Sequence, residues 1–568
     1  MASSIPILIR SSSGISSFSG TPDFAPLKEF DQVQSKSCRS MVFSSDGSYL
    51  AYVVGSSLKL FSTNGWREVA AIENVKSYYI TFSPKSTFLI SWEPFTVSNA
   101  NPQGSPNLKL YKTEDGRHIK SFIQKKQINW ELEWSQDEKL CTRLINNTVE
   151  FFEGFDYDKP AAKISGQKVS SYKISPNNGT YFVLCYCLGS GGQPSVIKLF
   201  KYPNFDEEQA IVSKSFFQAD KVDVMWNLKG NNALLLTSTE VDKTGGSYYG
   251  KQGLHFIALN GQCNTVTMNK EGPIYSVQWS PRNDEFCAIY GFMPAKATIF
   301  NLKCEPVYEL GTGARNAAYY NPFGNILLLG GFGNLRGHVE IWDATNKKKI
   351  GSCEAPDTTH LQWAADGEHF VTSTTAPRLR TANGFKIWHY SGALLHETDW
   401  PQNEELYEVS WKPYPKLAFR EPQIEFKKVE GIASSQPQAS KEVYRPPGAR
   451  NRPFVTFSLH NEDEAAHKVG GAGAPSKAAL KNKKKREAKK AKQNDEDKSD
   501  TVAVTSSVQI TLTGDPEVDK KLKNIKKKLD AIEKLKKEQA SGKTLELNQL
   551  MKIEGEAALI KELEQLSV

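Results

Sequence analysis

The sequence predicts an all-β fold, a nine-bladed β-propeller of divergent WD-like type, followed by a flexible basic linker and a C-terminal α-helical hairpin. Three observations predict it: one short phrase recurs nine times, the composition changes abruptly after Glu430, and two apolar stripes with helical spacing follow near the end. The boundaries set by these observations are 1–430 for the propeller, 431–514 for the linker and 515–568 for the hairpin.

The repeated phrase is an aromatic or apolar residue, then a small polar residue, a turn and an apolar strand. Successive copies are 39 to 53 residues apart, a period typical of propeller blades built from several short strands. The leading residues are Phe43, Phe82, Trp134, Ile174, Trp226, Trp279, Tyr320, Trp363 and Trp411. We expect the Trp and Phe rings of this set to belong to the core, where blades pack on each other.

Each copy predicts the strands of one blade. In the first blade we expect strands at 40–44, 49–54 and 58–62, with a tight turn at Asp46-Gly47, where glycine accepts a positive φ without steric cost. A third apolar strand is predicted in the later blades at 108–111, 149–152, 196–200, 254–259, 297–302, 339–342 and 385–388.

A propeller must close into a ring, because its first and last blades otherwise expose unpaired strand edges. The last copy predicts short strands at 407–412, 416–419 and 424–429. We expect the apolar N-terminal segments 5–10 and 14–18 to complete this ninth blade.

Charge and cysteine content restrict the class of protein. The net charge is +8, and residues 421–568 hold 29 Lys and Arg against 23 Asp and Glu, so the ring is nearly neutral. There is no apolar run of 18 residues and no convincing signal peptide. The eight cysteines include no Cys-x-x-Cys pair, which favours free thiols in a reducing compartment. We therefore expect a cytoplasmic protein.

The segment after the predicted ring is polar and then strongly basic. Residues 431–479 are rich in Pro, Gly, Ser and Ala without a period, which is typical of an extended linker. Residues 477–492 carry nine basic residues and one acidic residue. Three interpretations of this run stay open: attraction to nucleic-acid phosphates, a nuclear localisation signal, or a solvated tail without a partner.

Two amphipathic helices are predicted at the C-terminus. Asp515-Pro516-Glu517 is a plausible helix start, and Ser541-Gly542 interrupts the pattern, so an antiparallel hairpin is expected. The basic face of the first helix is either an ordinary solvated face or a contact with RNA or the ribosome. The first stripe contains Val518, Leu522, Ile525, Leu529, Ile532 and Leu535, and the second contains Leu547, Leu550, Met551, Ile553, Leu559, Ile560, Leu563 and Leu566.

Motifs that resemble catalytic or nucleotide-binding signatures are incomplete. Gly542-Lys543-Thr544 ends like a P-loop, but Lys537 stands where that motif needs glycine, and Arg336 stands where a dinucleotide fingerprint beginning at Gly331 needs one. The sequence has no Gly-x-Ser-x-Gly and no His-x-x-x-His. We therefore expect a protein that is not an enzyme and that uses no cofactor or metal.

The order of these parts resembles the eukaryotic translation initiation factor 2A family over essentially the whole chain. The resemblance is carried by the divergent ring, the Tyr444-Arg445-Pro446-Pro447 linker, the run from Lys483 to Lys490 and the final hairpin. It implies binding to the small (40S) ribosomal subunit and GTP-independent help in delivering initiator methionyl-tRNA, chiefly at non-standard start sites. It also implies contact with mRNA or rRNA, and it makes other initiation factors candidate partners.

The resemblance assigns the RNA and ribosome contacts only loosely, to basic residues of the tail. They are Lys481, Lys483, Lys484, Lys485, Arg486, Lys489, Lys490, Lys492, Lys520, Lys521, Lys523, Lys526, Lys527 and Lys528. The alternative is a propeller interaction scaffold similar to the propeller-containing component of initiation factor 3, without a direct tRNA role. That family carries an RNA-recognition domain before its propeller, whereas about 35 residues precede the first blade in this sequence. Tail-dependent, salt-sensitive RNA binding discriminates the two.

Overall fold

The structure, a computed structural model, describes residues 4–435 except 100, 190–192, 217–218, 240–249 and 417, together with Leu529, Ile532, Lys536 and Glu556. In this part of the chain, 36 strands form nine four-stranded antiparallel sheets. The predicted nine-bladed propeller is therefore confirmed for the described residues.

The N-terminal segment and the first two blades contain eleven strands. The N-terminal strands are β1 (Ile7–Ser11), β2 (Gly14–Phe18) and β3 (Val33–Gln34). Blade 1 consists of β4 (Cys38–Phe43), β5 (Tyr49–Val54), β6 (Ser57–Ser62) and β7 (Arg67–Ile72). Blade 2 consists of β8 (Tyr79–Phe82), β9 (Phe88–Trp92), β10 (Leu108–Lys112) and β11 (His118–Phe122).

Blades 3 to 5 follow the same order, from an inner strand to an outer one. Blade 3 consists of β12 (Glu133–Trp134), β13 (Leu140–Ile145), β14 (Thr148–Glu153) and β15 (Ala162–Ile164). Blade 4 consists of β16 (Val169–Ile174), β17 (Phe182–Cys187), β18 (Ser195–Lys201) and β19 (Val212–Phe216), with a short 3-10 helix, Glu207–Gln209, before β19. Blade 5 consists of β20 (Lys221–Trp226), β21 (Asn232–Ser238), β22 (Gln252–Ala258) and β23 (Cys263–Thr265).

Blades 6 to 8 repeat the arrangement, and one further strand ends the ring. Blade 6 consists of β24 (Ile274–Trp279), β25 (Glu285–Tyr290), β26 (Ala295–Asn301) and β27 (Pro306–Gly313). Blade 7 consists of β28 (Ala317–Tyr320), β29 (Ile326–Gly330), β30 (His338–Asp343) and β31 (Lys348–Glu354). Blade 8 consists of β32 (His360–Trp363), β33 (His369–Thr374), β34 (Gly384–His389) and β35 (Leu394–Asp399), and the last strand is β36 (Leu406–Trp411).

The small polar residue of the repeated phrase closes the first hairpin of its blade. In blade 2 the backbone N–H of Ser83 donates to the Phe88 carbonyl at 2.9 Å, and Ser83 Oγ accepts from the Phe88 N–H at 2.9 Å. The side chains at the equivalent positions of five other blades accept in the same way, at Ser44, Ser135, Ser175, Asn227 and Asn321. This local bond explains why the phrase recurs, since a buried backbone N–H requires an acceptor.

The leading Trp and Phe residues belong to the core, as the sequence predicts. Trp411 is 2% exposed and packs with Phe385 and Ile387 of blade 8. The other six rings of the set also lie in, or pack against, buried apolar clusters. Their packing between neighbouring sheets holds adjacent blades together.

The ninth blade combines both ends of the ring. Its strand order is β3-β2-β1-β36, and Ile9 of β1 lies opposite Val409 of β36. The predicted N-terminal closure is thus confirmed, but the predicted strands at 416–419 and 424–429 are wrong, because the described residues there form no strand. The N-terminal segment supplies three strands, so β36 alone completes a four-stranded blade.

The described residues of 413–435 instead form an extended C-terminal strap along blades 6 to 8. Arg282 in the first hairpin turn of blade 6 pairs with Glu421 at 2.6 Å, and Asn325 Nδ2 of blade 7 donates to the Pro422 carbonyl at 3.0 Å. Further along, the backbone N–H of Ile432 donates to the Leu394 carbonyl of β35 at 2.7 Å. The strap therefore runs over the face formed by the first hairpin turns, which we name the turn face.

Candidate functional site

The fourteen basic residues predicted to contact RNA or the ribosome all lie outside the described residues. The structure therefore brings none of them together, and their role stays a prediction. The same holds for the linker 431–514 beyond residue 435.

The chain divides into two units, Met1–Glu442 and Val443–Val568, and four residues of the second unit are described. All four are helical, and Ile532 of the first predicted apolar stripe is only 4% exposed. Lys536 forms an ion pair with Glu556, which lies 20 residues further along the chain. The antiparallel hairpin itself stays a prediction, because the other residues of 515–568 are not described.

The described residues offer no group of three or more His, Cys, Asp or Glu placed to hold a metal ion. Among them there is also no helix long and apolar enough to span a membrane. The eight cysteines are free, and burial raises the pKa of Cys287 and of Cys353 to about 12. These two thiols therefore stay protonated near neutral pH, which keeps them poor nucleophiles.

A cavity of about 340 Å³ lies between the inner strands of blades 3, 4 and 5. Glu133 and Lys173 form an ion pair in its wall, and Asp223 is paired with Lys221 at 2.9 Å. Burial raises the pKa of Glu133, and the Lys173 ammonium opposes this shift. Asn129, Trp130 and Glu131 line the cavity on the side of blade 3, so its wall contains both paired charges and a further carboxylate.

The face opposite the turn face, the loop face, carries the connections between successive blades. At blades 2 and 3 it carries three aromatic side chains, Tyr78, Tyr79 and Trp130, which we name the aromatic patch; Tyr79 and Trp130 are in ring contact, and Tyr78 lies towards Arg39 of blade 1. Tyr78 is 50% exposed and Tyr79 is 39% exposed. The Tyr79 ring lies 6.1 Å from that of Trp130 and 5.8 Å from that of the buried Trp92.

Hydrogen bonds hold the aromatic patch in place. The Tyr78 N–H donates to the Trp92 carbonyl at 3.0 Å, which extends the β8–β9 hairpin by one residue. Gln127 Nε2 donates to the Tyr79 hydroxyl at 2.6 Å, so the loop before blade 3 is tied to blade 2. The exposed rings are therefore presented on a scaffold with a defined geometry.

Positive charges lie on the same face as the aromatic patch. The Arg39 guanidinium lies 5.4 Å from the centre of the Tyr78 ring, and Lys125 Nζ lies 5.2 Å from that of Phe95. The connections 73–78 and 123–132 together contain three lysines and two acidic residues, Glu73 and Glu131. The nearby Glu93 is paired with Lys109 at 2.9 Å.

The aromatic patch was not identified as a functional surface from the sequence. The Tyr-Tyr pair and the Lys125-Lys126 pair are visible in the sequence, but their proximity depends on the order of the blades. Exposed aromatic residues beside lysines in the predicted interblade loops are the signal that could have revealed it.

Comparison with known proteins places this architecture in a family. The model of the family described as "Eukaryotic translation initiation factor eIF2A" matches residues 214–409. The eukaryotic translation initiation factor 2A of Drosophila melanogaster is 37% identical, over 99% of this chain and 98% of the relative. The chain belongs to the eukaryotic translation initiation factor 2A family.

Further relatives of this family agree in extent and in fold. The factor 2A of Caenorhabditis elegans is 33% identical, over 94% of this chain and 93% of the relative. A solved structure described as the crystal structure of the eukaryotic initiation factor is 31% identical and aligns with a TM-score of 0.66, covering 72% of this chain and 99% of its own. Family membership supports a role in translation initiation and confirms the resemblance seen in the sequence.

Proposed function

We propose that this protein is a cytoplasmic translation initiation factor that binds the 40S subunit. It assists delivery of initiator methionyl-tRNA without a GTPase of its own, chiefly at non-standard start sites. The observation that carries the proposal is the 37% identity to an initiation factor 2A over nearly the full length of both chains. A propeller of nine four-stranded blades supports it, since such a ring is a rigid platform for partners.

The proposed mechanism uses two contacts on one chain. Loops of the ring contact ribosomal protein or rRNA, and the basic segments around Lys483–Lys485 and Lys520–Lys528 contact rRNA or mRNA phosphates. Two modest contacts on one chain reinforce each other, because the first raises the effective concentration of the second. The contribution of the lysines falls steeply with salt, whereas that of the ring falls less. Other initiation factors are proposed as further partners.

Co-sedimentation of the full chain with purified 40S subunits, at about 50 and 200 mM salt, tests the ribosome contact. The test variant carries Lys483→Gln, Lys484→Gln and Lys485→Gln. The matched control removes three exposed lysines of the ring, through Lys159→Gln, Lys201→Gln and Lys303→Gln. We expect the test variant to pellet less than the control and to lose part of the salt dependence. Failure of the unmodified chain to pellet above background would contradict the proposal.

The alternative is a propeller scaffold, similar to the propeller-containing component of initiation factor 3, without a direct tRNA role. It predicts that the chain binds 40S subunits but does not change their retention of initiator methionyl-tRNA. Filter retention of labelled initiator methionyl-tRNA on 40S subunits, with and without the chain, separates the two functions.

A further inference from the structure

We infer that the loop face of blades 1 to 3 binds a short segment of single-stranded RNA. In this site the bases stack on the aromatic patch, Tyr78, Tyr79 and Trp130, and the phosphates lie near Arg39, Lys125 and Lys126. The site lies on the ring, apart from the basic tail, and does not depend on the chain being a ribosome-binding factor.

The arrangement of the rings is the first support. The centres of the Tyr79 and Trp130 rings are 6.1 Å apart, with their planes inclined by 32°, so the rings lie side by side. Tyr78 is 50% and Tyr79 39% exposed, whereas the Trp and Phe rings at the leading positions of the blades belong to the core. Exposed aromatic faces are the platforms on which proteins stack unpaired bases, and every base has a π-face that suits them.

The distribution of charge is the second support, and it favours RNA over a protein partner. The two connections that carry the patch, residues 73–78 and 123–132, hold three lysines against two glutamates, and Arg39 lies against the Tyr78 ring, so the balance of charge is positive. Cations interleaved with aromatic rings are the combination that tracks a single-stranded backbone while its bases stack. Lys125 and Lys126 are exposed, so they are accessible to phosphates.

Rigidity is the third support. The hydrogen bond from Gln127 to the Tyr79 hydroxyl orients that ring before any ligand arrives, and the backbone bond from Tyr78 to Trp92 fixes the chain that carries both tyrosines. Pre-oriented side chains lose less conformational entropy on binding. Because stacking makes little use of hydrogen bonds to base edges, the site tolerates many sequences.

The test uses the full chain and a fluorescein-labelled, unstructured RNA of about 12 nucleotides, with binding followed by anisotropy. Tyr79→Ala removes one stacking platform. At about 1–3 kcal/mol per stacked base, it should weaken binding about 5- to 150-fold. The matched control is Tyr308→Ala, which removes a ring of similar exposure, 37%, from the outer strand of blade 6. Thermal unfolding of both variants shows whether the ring still folds, and Tyr78→Ala provides a second, more exposed position.

The salt dependence separates stacking from charge. Lys125→Ala with Lys126→Ala should lower the slope of log K against log salt by up to about 1.4, at about 0.7 per phosphate contact of a single strand. Tyr79→Ala should weaken binding while leaving this slope unchanged. Photo-crosslinking of a 4-thiouridine RNA to the unmodified chain should give adducts in peptides that contain residues 76–79 or 125–130.

Three results would overturn the inference. The first is a folded Tyr79→Ala variant that binds the RNA as tightly as Tyr308→Ala, and the second is crosslinking confined to peptides from 436–568. The third is loss of 40S binding by the patch variants with RNA binding unchanged, which would make the patch a protein-docking surface. If the unmodified chain binds RNA at the patch but fails to pellet with 40S subunits, only the proposed ribosome function fails.

Discussion

Replacing Ile9 by Ala tests whether the N-terminal strand closes the ring. Ile9 is fully buried in β1, lies opposite Val409 of β36 and packs with Phe385 and Ile387 of blade 8. Its side chain therefore joins the two ends of the ring to the preceding blade. This packing explains why residues before the first repeat belong to the fold.

The expected loss of stability follows from the atoms removed. Ile9→Ala deletes three methyl or methylene groups, which at about 0.8 kcal/mol each corresponds to roughly 2.4 kcal/mol of lost transfer free energy. The cavity left among rigid neighbouring strands adds to this, so the total should be about 3–4 kcal/mol, within the range of about 2–5 for such truncations. A loss of about 3 kcal/mol raises the unfolded-to-folded ratio more than a hundredfold.

Urea unfolding, followed by tryptophan fluorescence, measures the change in the free energy of unfolding. The matched control is Val307→Ala, because Val307 is 52% exposed on β27 and its truncation should cost less than about 0.5 kcal/mol. We expect a clearly lower unfolding midpoint for Ile9→Ala than for Val307→Ala. Equal midpoints would mean that β1 is not packed in the ninth blade, and the account of ring closure would be wrong.

Three further predictions concern the turns and the strap. Gly47→Ala should lower the melting temperature more than Gly65→Ala. Both glycines have a positive φ, but only at Gly47 would an added Cβ meet a backbone oxygen, that of Pro413, at 1.9 Å. Equal melting temperatures of the two variants would contradict this contact. Ser83→Ala should cost about 1–3 kcal/mol by leaving the Phe88 N–H without its side-chain acceptor, and unchanged hydrogen exchange at Phe88 would refute this role. Burial alone would raise the pKa of Glu397, but hydrogen bonds from the Ser435 backbone and from Lys386 and Ser434 hold it below the ordinary value of 4.5. The contact between Glu397 and the strap should therefore be complete above pH 4.5 and be lost as the pH falls through the lower pKa of Glu397 in the folded protein. Hydrogen-exchange protection of the Ile432 amide measures the contact. Glu397→Gln should reduce this protection already at neutral pH.

The blades could be predicted from the sequence because their signals are local. Each repeated phrase contains both partners of the hairpin bond, such as Ser83 and Phe88, within a few residues. In blade 8, where Ala364 replaces the polar residue, Asp366 Oδ1 accepts from the His369 N–H at 3.1 Å, so the turn forms with another acceptor from the same segment. The third strands were predicted as apolar runs, and the structure has a strand at each of them.

The strap was predicted wrongly because its contacts are long-range. Glu421 pairs with Arg282, 139 residues earlier, and Ile424 packs against the core cluster of blades 7 and 8. An apolar residue that covers existing blades cannot be distinguished by pattern from one that forms a new strand. The aromatic patch was missed for a related reason, since Tyr79 and Trp130 meet only because consecutive blades are neighbours in the ring.

The proposed function is assistance in delivering initiator methionyl-tRNA to the small ribosomal subunit without GTP. The most direct measurement is filter retention of labelled initiator methionyl-tRNA on purified 40S subunits with a bound message, with and without the full chain, in the presence and absence of GTP. The account predicts that the chain increases retention and that omitting GTP leaves the increase unchanged. Retention that the chain does not change, or an increase that requires GTP, would contradict it.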